Sequence, residues 1–113
     1  MYTLQSKFTI ERYVTGGGVV PFNKWFGGIN DAKAQARIRQ RLDRVIEGLF
    51  GDCKSVGGSV WELRVDYGPG YRIYYSVIGR STVLLLCGGD KRKQNADIER
   101  AIDYLNDYKR RKP

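Results

Sequence analysis

Three basic residues and a phenol are the groups in this chain best equipped for chemistry: Arg64, Arg72, Lys91 and Tyr74. All four fall in one stretch, WELRVDYGPGYRIYYSVIGRSTVLLLCGGDKRKQ, at positions 61–94. In its first part Trp61, Leu63 and Val65 are apolar, while Glu62, Arg64 and Asp66 between them are charged. That is the period-two pattern of a strand with one buried and one solvated face. After Tyr67-Gly68-Pro69-Gly70 the pattern resumes, with Tyr71, Ile73, Tyr75 and Val77 on the apolar side and Arg72, Tyr74 and Ser76 on the polar side. Glycine permits positive φ and proline presets its own φ, so the spacing predicts an antiparallel hairpin. Arg64, Arg72 and Tyr74 are then expected on one exposed sheet face.

Bordered by the loop Asp90 to Lys93, such a face would gather several cations and a phenol in one concavity, which suits binding and straining an RNA phosphodiester. Cleavage by the 2′-hydroxyl needs a group to take its proton, cations to stabilise the phosphorane, and a donor for the leaving 5′-oxygen. A metal is optional. Arginine suits the second task because its fork matches phosphate oxygens bidentately, but it is too weak an acid to serve as an ordinary base at neutral pH. Lys91, flanked by Arg92 and Lys93, is the better candidate for proton transfer.

Each residue also has a plainer reading. An arginine on an outer strand face is ordinarily solvated or salt-bridged, and Glu62 and Asp66 are available as partners. Asp90 suits a helix cap, and Tyr74 suits cross-strand packing. Gly88-Gly89 suits the end of a strand, although two glycines also let a backbone approach a phosphate closely.

Composition narrows the class. A chain of 113 residues predicts one domain spanning positions 1–113, with a single core of modest size. A net charge of +8 and a pI near 9.7 favour a polyanionic partner, either nucleic acid or an acidic protein. The chain has no histidine, which excludes serine–histidine and cysteine–histidine catalysis and removes the commonest zinc ligand. Cys53 and Cys87 show no metal-site spacing, and Cys87, closing an apolar run, reads as a buried small hydrophobe. Neither the opening MYTLQSKFTIERYV nor any later segment has the apolar length of a signal peptide or a membrane span, so the expectation is a cytoplasmic protein.

The elements that must position the candidate residues follow in order. Lys7 to Val14 reads as a first strand, broken by Gly16-Gly17-Gly18. From Pro21, the residues Phe22, Trp25, Phe26 and Ile29 recur at helical spacing. A second helix, capped by Asn30 or Asp31 and stopped by Gly51, carries the stripe Ala34, Ile38, Leu42, Val45, Ile46 and Leu49. Its other face bears Lys33, Arg37, Arg39, Arg41 and Arg44, a solvated face or a docking surface for phosphates or an acidic segment. Gly51 to Ser59 reads as a loop. Ser81 to Cys87, whose run Val83 to Leu86 is apolar on both faces, suits a central strand ended by Gly88-Gly89, and Ile98, Ala101, Ile102, Leu105 and Tyr108 stripe a closing helix. The expected class is α+β, in the order β-α-α-β-β-β-α. The mainly antiparallel sheet would have four strands, with the helical hairpin on one face and a C-terminal helix.

ELRVDYGPGYRIYY at 62–75 and LLLCGGDKRKQNADIERA at 84–101, with the upstream KWF and ARIRQRLDRVIEGLFGD, resemble the RelE/HigB toxin superfamily. Within it the chain is most similar to the branch of addiction-module killer proteins, also called phage Gp49-like. The resemblance implies the toxin of a bacterial type II toxin–antitoxin pair. Characterised members mostly cleave mRNA in the ribosomal A site without metal, leaving a 2′,3′-cyclic phosphate and a 5′-hydroxyl. Arg72 matches the phosphate-stabilising arginine of the family's G-Y-R motif. On the preceding strand, where the RelE branch has basic residues for substrate binding and proton transfer, this chain offers only Arg64, beside acidic Glu62. Lys91, with Arg92 and Lys93, matches the basic residue after the last strand. The tyrosine that RelE carries near its C-terminus has no counterpart, since Asp97 or Ile98 falls there, and the histidines of HigB are absent, so the general base is unassigned.

The resulting candidates are Arg72, Lys91 and Arg64 as catalytic residues, and Tyr74, Asp90, Arg92 and Lys93 as substrate contacts. No metal or cofactor is expected. The implied partners are the ribosome with its mRNA and a small antitoxin of helix-turn-helix type. Two other readings stand beside the nuclease: a ParE-like toxin that acts by binding a target such as DNA gyrase, and a non-catalytic nucleic-acid-binding domain.

Overall fold

A computed structural model describes residues 7–112. The order is β1 (Thr9–Arg12), α1 (Pro21–Gly27), α2 (Ala32–Ile46), β2 (Cys53–Gly57), β3 (Val60–Val65), β4 (Tyr71–Ile78), β5 (Thr82–Asp90), a 3₁₀ turn (Lys91–Lys93) and α3 (Gln94–Arg111). The α+β class and the order of the expected elements are as read from the sequence. The sheet differs: it has five strands, ordered β1-β5-β4-β3-β2, and is mixed, because β1 pairs parallel with β5 while the other three pairings are antiparallel.

The additional strand is β2, in the segment expected to be a loop. Gly57 pairs with Val60 across Gly58 and Ser59, whose φ values of 60° and 66° belong to the left-handed region that a tight two-residue hairpin turn requires. The strand lies at the sheet edge with exposed Lys54 and Ser55, so it shows no buried alternation from which the sequence could reveal it.

Helix α1 starts at Pro21, whose missing N–H costs nothing in the first turn. Asp31 caps α2, its Oδ1 accepting from the backbone N–H groups of Lys33 at 2.9 Å and Ala34 at 3.3 Å. The helix stops earlier than expected. Gly48, at φ 86°, donates to Val45 O and Leu49 donates to Arg44 O, the paired bonds of a glycine C-terminal cap, so Gly48 and not Gly51 is the stop. Leu49 therefore lies beyond the last turn and is 54% exposed, outside the expected stripe.

The sheet is covered on both faces. Phe22, Ile38 and Val45 of the first two helices pack on Leu63, Val65, Ile73, Tyr75, Val83 and Leu85. Helix α3 packs Ala101 and Leu105 against Val60, Tyr74, Leu84, Leu86 and Cys87 on the other face. β5 contributes to both clusters, as its two-sided apolar character predicts for an interior strand. Tyr74 pairs with Cys87 and Tyr75 with Leu85, so Leu86 is an inserted residue, and this bulge turns Leu86 and Cys87 toward the same helix. Trp61 and Val77, read as members of the buried face, are exposed at 40% and 41% because they lie outside the cluster under α1 and α2.

β5 runs through Gly88 and Gly89 to Asp90 and does not end at the glycines. Both positions are needed without side chains. A Cβ on Gly88 would come within 2.2 Å of the Trp25 ring, and one on Gly89 within 2.0 Å of Asp97 Oδ2.

Candidate phosphate-binding site

The hairpin of β3 and β4 places Arg64 directly opposite Arg72 and Glu62 directly opposite Tyr74, all four on one face. The sharing of a face is as read from the sequence, but the exposure of that face is not. Tyr74 and Glu62 are fully buried and Arg72 retains only 14% of its side-chain exposure, because the face expected to meet solvent lies largely beneath α3. Only Arg64, at 38%, is substantially open.

Two guanidiniums facing each other across a strand pair repel, and the chain answers with a buried carboxylate. Glu62 Oε1 lies 3.4 Å from Arg72 Nε and 3.8 Å from Arg64 Nε, and Asp52 Oδ1 approaches Arg64 Nε from the other side at 3.5 Å. Among the described residues none of Glu62 Oε1, Arg64 Nε and Arg72 Nε has a hydrogen-bond partner, so the cluster is held by charge rather than by directed bonds. The second oxygen, Oε2, accepts from Tyr74 OH at 3.2 Å and from Gln94 Nε2 at 2.8 Å. Burial and the adjoining Glu62 raise the Tyr74 phenol well above its ordinary pKa, fixing it as a hydrogen-bond donor.

The backbone completes the support. Gly70, at φ 83°, presents its carbonyl to Arg72 Nη1 at 3.0 Å. Arg41 of α2 donates to the carbonyls of Phe50, at 2.9 Å, and Arg64, fastening the entrance to β2 against β3. It is partly buried and thus does not belong to the solvated face assigned to it with its helical neighbours. Arg64 N donates to Asp52 O at 2.9 Å, which holds Asp52 beside the cluster.

An open groove of about 320 Å³ lies over this cluster, lined by Arg64, Arg72, Lys91, Asp52 and Tyr71 together with the 66–70 turn. It brings together the three residues read as catalytic. Tyr71 packs against the apolar cluster under α1 and α2, as its place on the apolar face predicts, and it also lines the groove. Burial, with Asp31 and Asp90 adding to it, raises its phenol above the usual value, which keeps it protonated.

The residues read as substrate contacts are dispersed. Tyr74 stands behind the arginines with its hydroxyl on Glu62. Asp90 caps the 3₁₀ turn, its Oδ1 accepting from Arg92 N at 2.9 Å, and its side chain pairs with the Arg92 guanidinium at 2.7 Å. That bond holds the Asp90 carboxyl below the usual carboxylate range. Arg92 and Lys93 are exposed and line an adjacent groove that also contains Lys91. Glu62, Gln94 and Asp52 are the supporting residues that the sequence reading did not assign to the site. Glu62 left a signal, since it shares the parity of Arg64 on one strand; Gln94 and Asp52 left none, because only the packing of α3 and β2 brings them near.

Among the described residues no cluster of side chains suited to hold a metal ion occurs, and no helix is long and apolar enough to cross a membrane. Residues 24–106 match the family described as "Phage derived protein Gp49-like (DUF891)". An uncharacterized protein of Haemophilus influenzae is 44% identical over 80 residues, covering 71% of this chain and 81% of that protein. The matched span runs from α1 through most of α3 and contains every residue of the arginine groove, and by both likenesses the chain belongs to the Gp49-like family.

Proposed function

We propose that this protein is the toxin of a bacterial type II toxin–antitoxin pair, acting as a metal-independent, ribosome-dependent mRNA endoribonuclease in the cytoplasm. The observation that carries the reading is the groove in which Arg72, Arg64 and Lys91 converge over a buried carboxylate. A phosphodiester placed there meets two guanidiniums whose Nε sides face Glu62, and, apart from the Arg72 Nη1 bond to Gly70 O, their other N–H groups are left for phosphate oxygens. As the 2′-hydroxyl gives up its proton to water and its oxygen attacks phosphorus, negative charge grows on the non-bridging oxygens, and Arg72, fixed by Glu62 and Gly70 O, is the group to stabilise it. Lys91, a cation on the rim, is placed to give a proton to the departing 5′-oxygen, so that the P–O5′ bond breaks as the 2′,3′-cyclic phosphate closes. The family resemblance supports the same roles and adds a small helix-turn-helix antitoxin as partner.

The test is controlled expression of wild type and Arg72→Ala in bacteria, with 5′-end mapping of mRNA shortly after induction. Growth arrest with new cleavages inside translated codons, both absent in the variant, is the expected result. Arrest without cleavage and indifferent to the substitution would overturn the nuclease and favour a toxin that binds its target. An absence of arrest would leave a binding domain.

A further inference from the structure

A second groove, of about 510 Å³, opens where β5 outruns its neighbour. β1 pairs with β5 only from Thr82 to Leu85, so among the described residues no strand covers the outer edge of Leu86 to Asp90. Gly88 and Gly89 add no side chains to the floor there, while Lys24 and Trp25 of α1 and Arg100 and Tyr104 of α3 form the walls. Two carboxylates also line it, and each is already matched: Asp90 by Arg92 at 2.7 Å and Asp97 by Arg100 at 3.3 Å. Lys24 and Lys93 are both exposed and form no ion pair among the described residues, although Lys93 lies near enough to Asp90 and Asp97 for its charge to favour their ionised forms.

The arginine groove and this one are joined. Lys91 lines both the arginine groove and the middle depression over the 3₁₀ turn, while Arg92 and Lys93 line that depression and the second groove. A continuous cationic path thus leads from Arg72, around the start of α3, to Lys24 and Arg100. Single-stranded nucleic acid is held by such a path, with cations tracking the backbone and aromatic walls against the bases. We infer that the second groove is a subsite for the nucleotides flanking the scissile phosphate, with Lys24, Lys93 and Arg100 taking backbone phosphates and Trp25 and Tyr104 bounding a base. This inference rests on the nuclease reading for its choice of RNA over an acidic peptide, since the path begins at the arginine groove.

Trp25 is one of only two tryptophans in the chain, so a Trp61→Phe protein reports on this groove by fluorescence. A short 2′-O-methyl RNA, which cannot be cut, should quench Trp25. Lys24→Gln with Arg100→Gln, which keeps a hydrogen bond available to Asp97, should raise the dissociation constant about tenfold and flatten its salt dependence by roughly 0.7 per lost phosphate contact. On programmed ribosomes the same pair should raise KM by a similar factor and leave kcat within about twofold. If thermal melting shows the double variant unfolded, Lys24→Glu alone, at an exposed position, serves instead and should weaken RNA binding as strongly. Quenching by polyglutamate and not by RNA overturns the subsite in favour of a protein dock. RNA binding indifferent to these substitutions, or a silent Trp25, also overturns it, even where wild type cleaves mRNA. If wild type cleaves nothing but the substitutions still weaken RNA binding, the groove stands as an RNA-binding site and the nuclease reading falls.

Discussion

Glu62→Gln isolates the charge that lets Arg64 and Arg72 face each other. The substitution keeps the volume and an oxygen for Tyr74 and Gln94, but removes the buried negative charge that lies 3.4 Å and 3.8 Å from the two guanidinium nitrogens. An ion pair near 4 Å is worth about 4 kcal/mol at an effective dielectric constant near 20. Arg72, mostly buried, retains most of that, whereas Arg64, at 38% exposure and already shared with Asp52, retains a small fraction. Burying the carboxylate costs several kcal/mol in return, but the buried arginine stays behind in the variant, so the loss on removing one partner is the larger quantity. The expected destabilisation is about 2–4 kcal/mol, between the surface and fully buried limits. For a chain of this size that corresponds to a fall in Tm of roughly 8–15 °C. Urea denaturation of wild type, Glu62→Gln, Arg72→Gln and the double variant closes a double-mutant cycle, in which a coupling above about 1 kcal/mol is expected. A variant as stable as wild type, with coupling near zero, would refute the idea that Glu62 organises the pair. On the proposed nuclease reading, ribosome-dependent cleavage should fall with Glu62→Gln even at a temperature where the variant is fully folded.

Gly88→Ala should destabilise by about 1–3 kcal/mol, because the new methyl meets the Trp25 ring at 2.2 Å and both belong to packed elements; a melting curve coincident with wild type would show that α1 can shift aside. Burial raises the Cys87 thiol to about 12, so at pH 8 it should not react with Ellman's reagent in the folded protein, and should react once urea unfolds the chain. Rapid labelling of two thiols in the native state would place Cys87 at the surface and contradict the packing of α3 on β5.

The residues themselves determined the hairpin of β3 and β4, the two-sided apolar character of β5 and the amphipathic helices, because period, turn residues and caps are local properties that survive without a tertiary context. They also placed Arg64 and Arg72 on one face, since strand parity is fixed by chain geometry. The exposure of that face was decided only in three dimensions. Alternation says which residues point the same way but not whether a helix will cover them, and α3 converts Glu62 and Tyr74 from a presumed solvated edge into a buried support. The same holds for β2, whose pairing depends on β3 rather than on any pattern of its own. Asp52 and Gln94 reach the site through contacts 12 and 32 positions along the chain, toward Arg64 and Glu62 respectively. Sequence spacing carries no record of such distances; the burial of one carboxylate between two arginines had to be assembled by the fold.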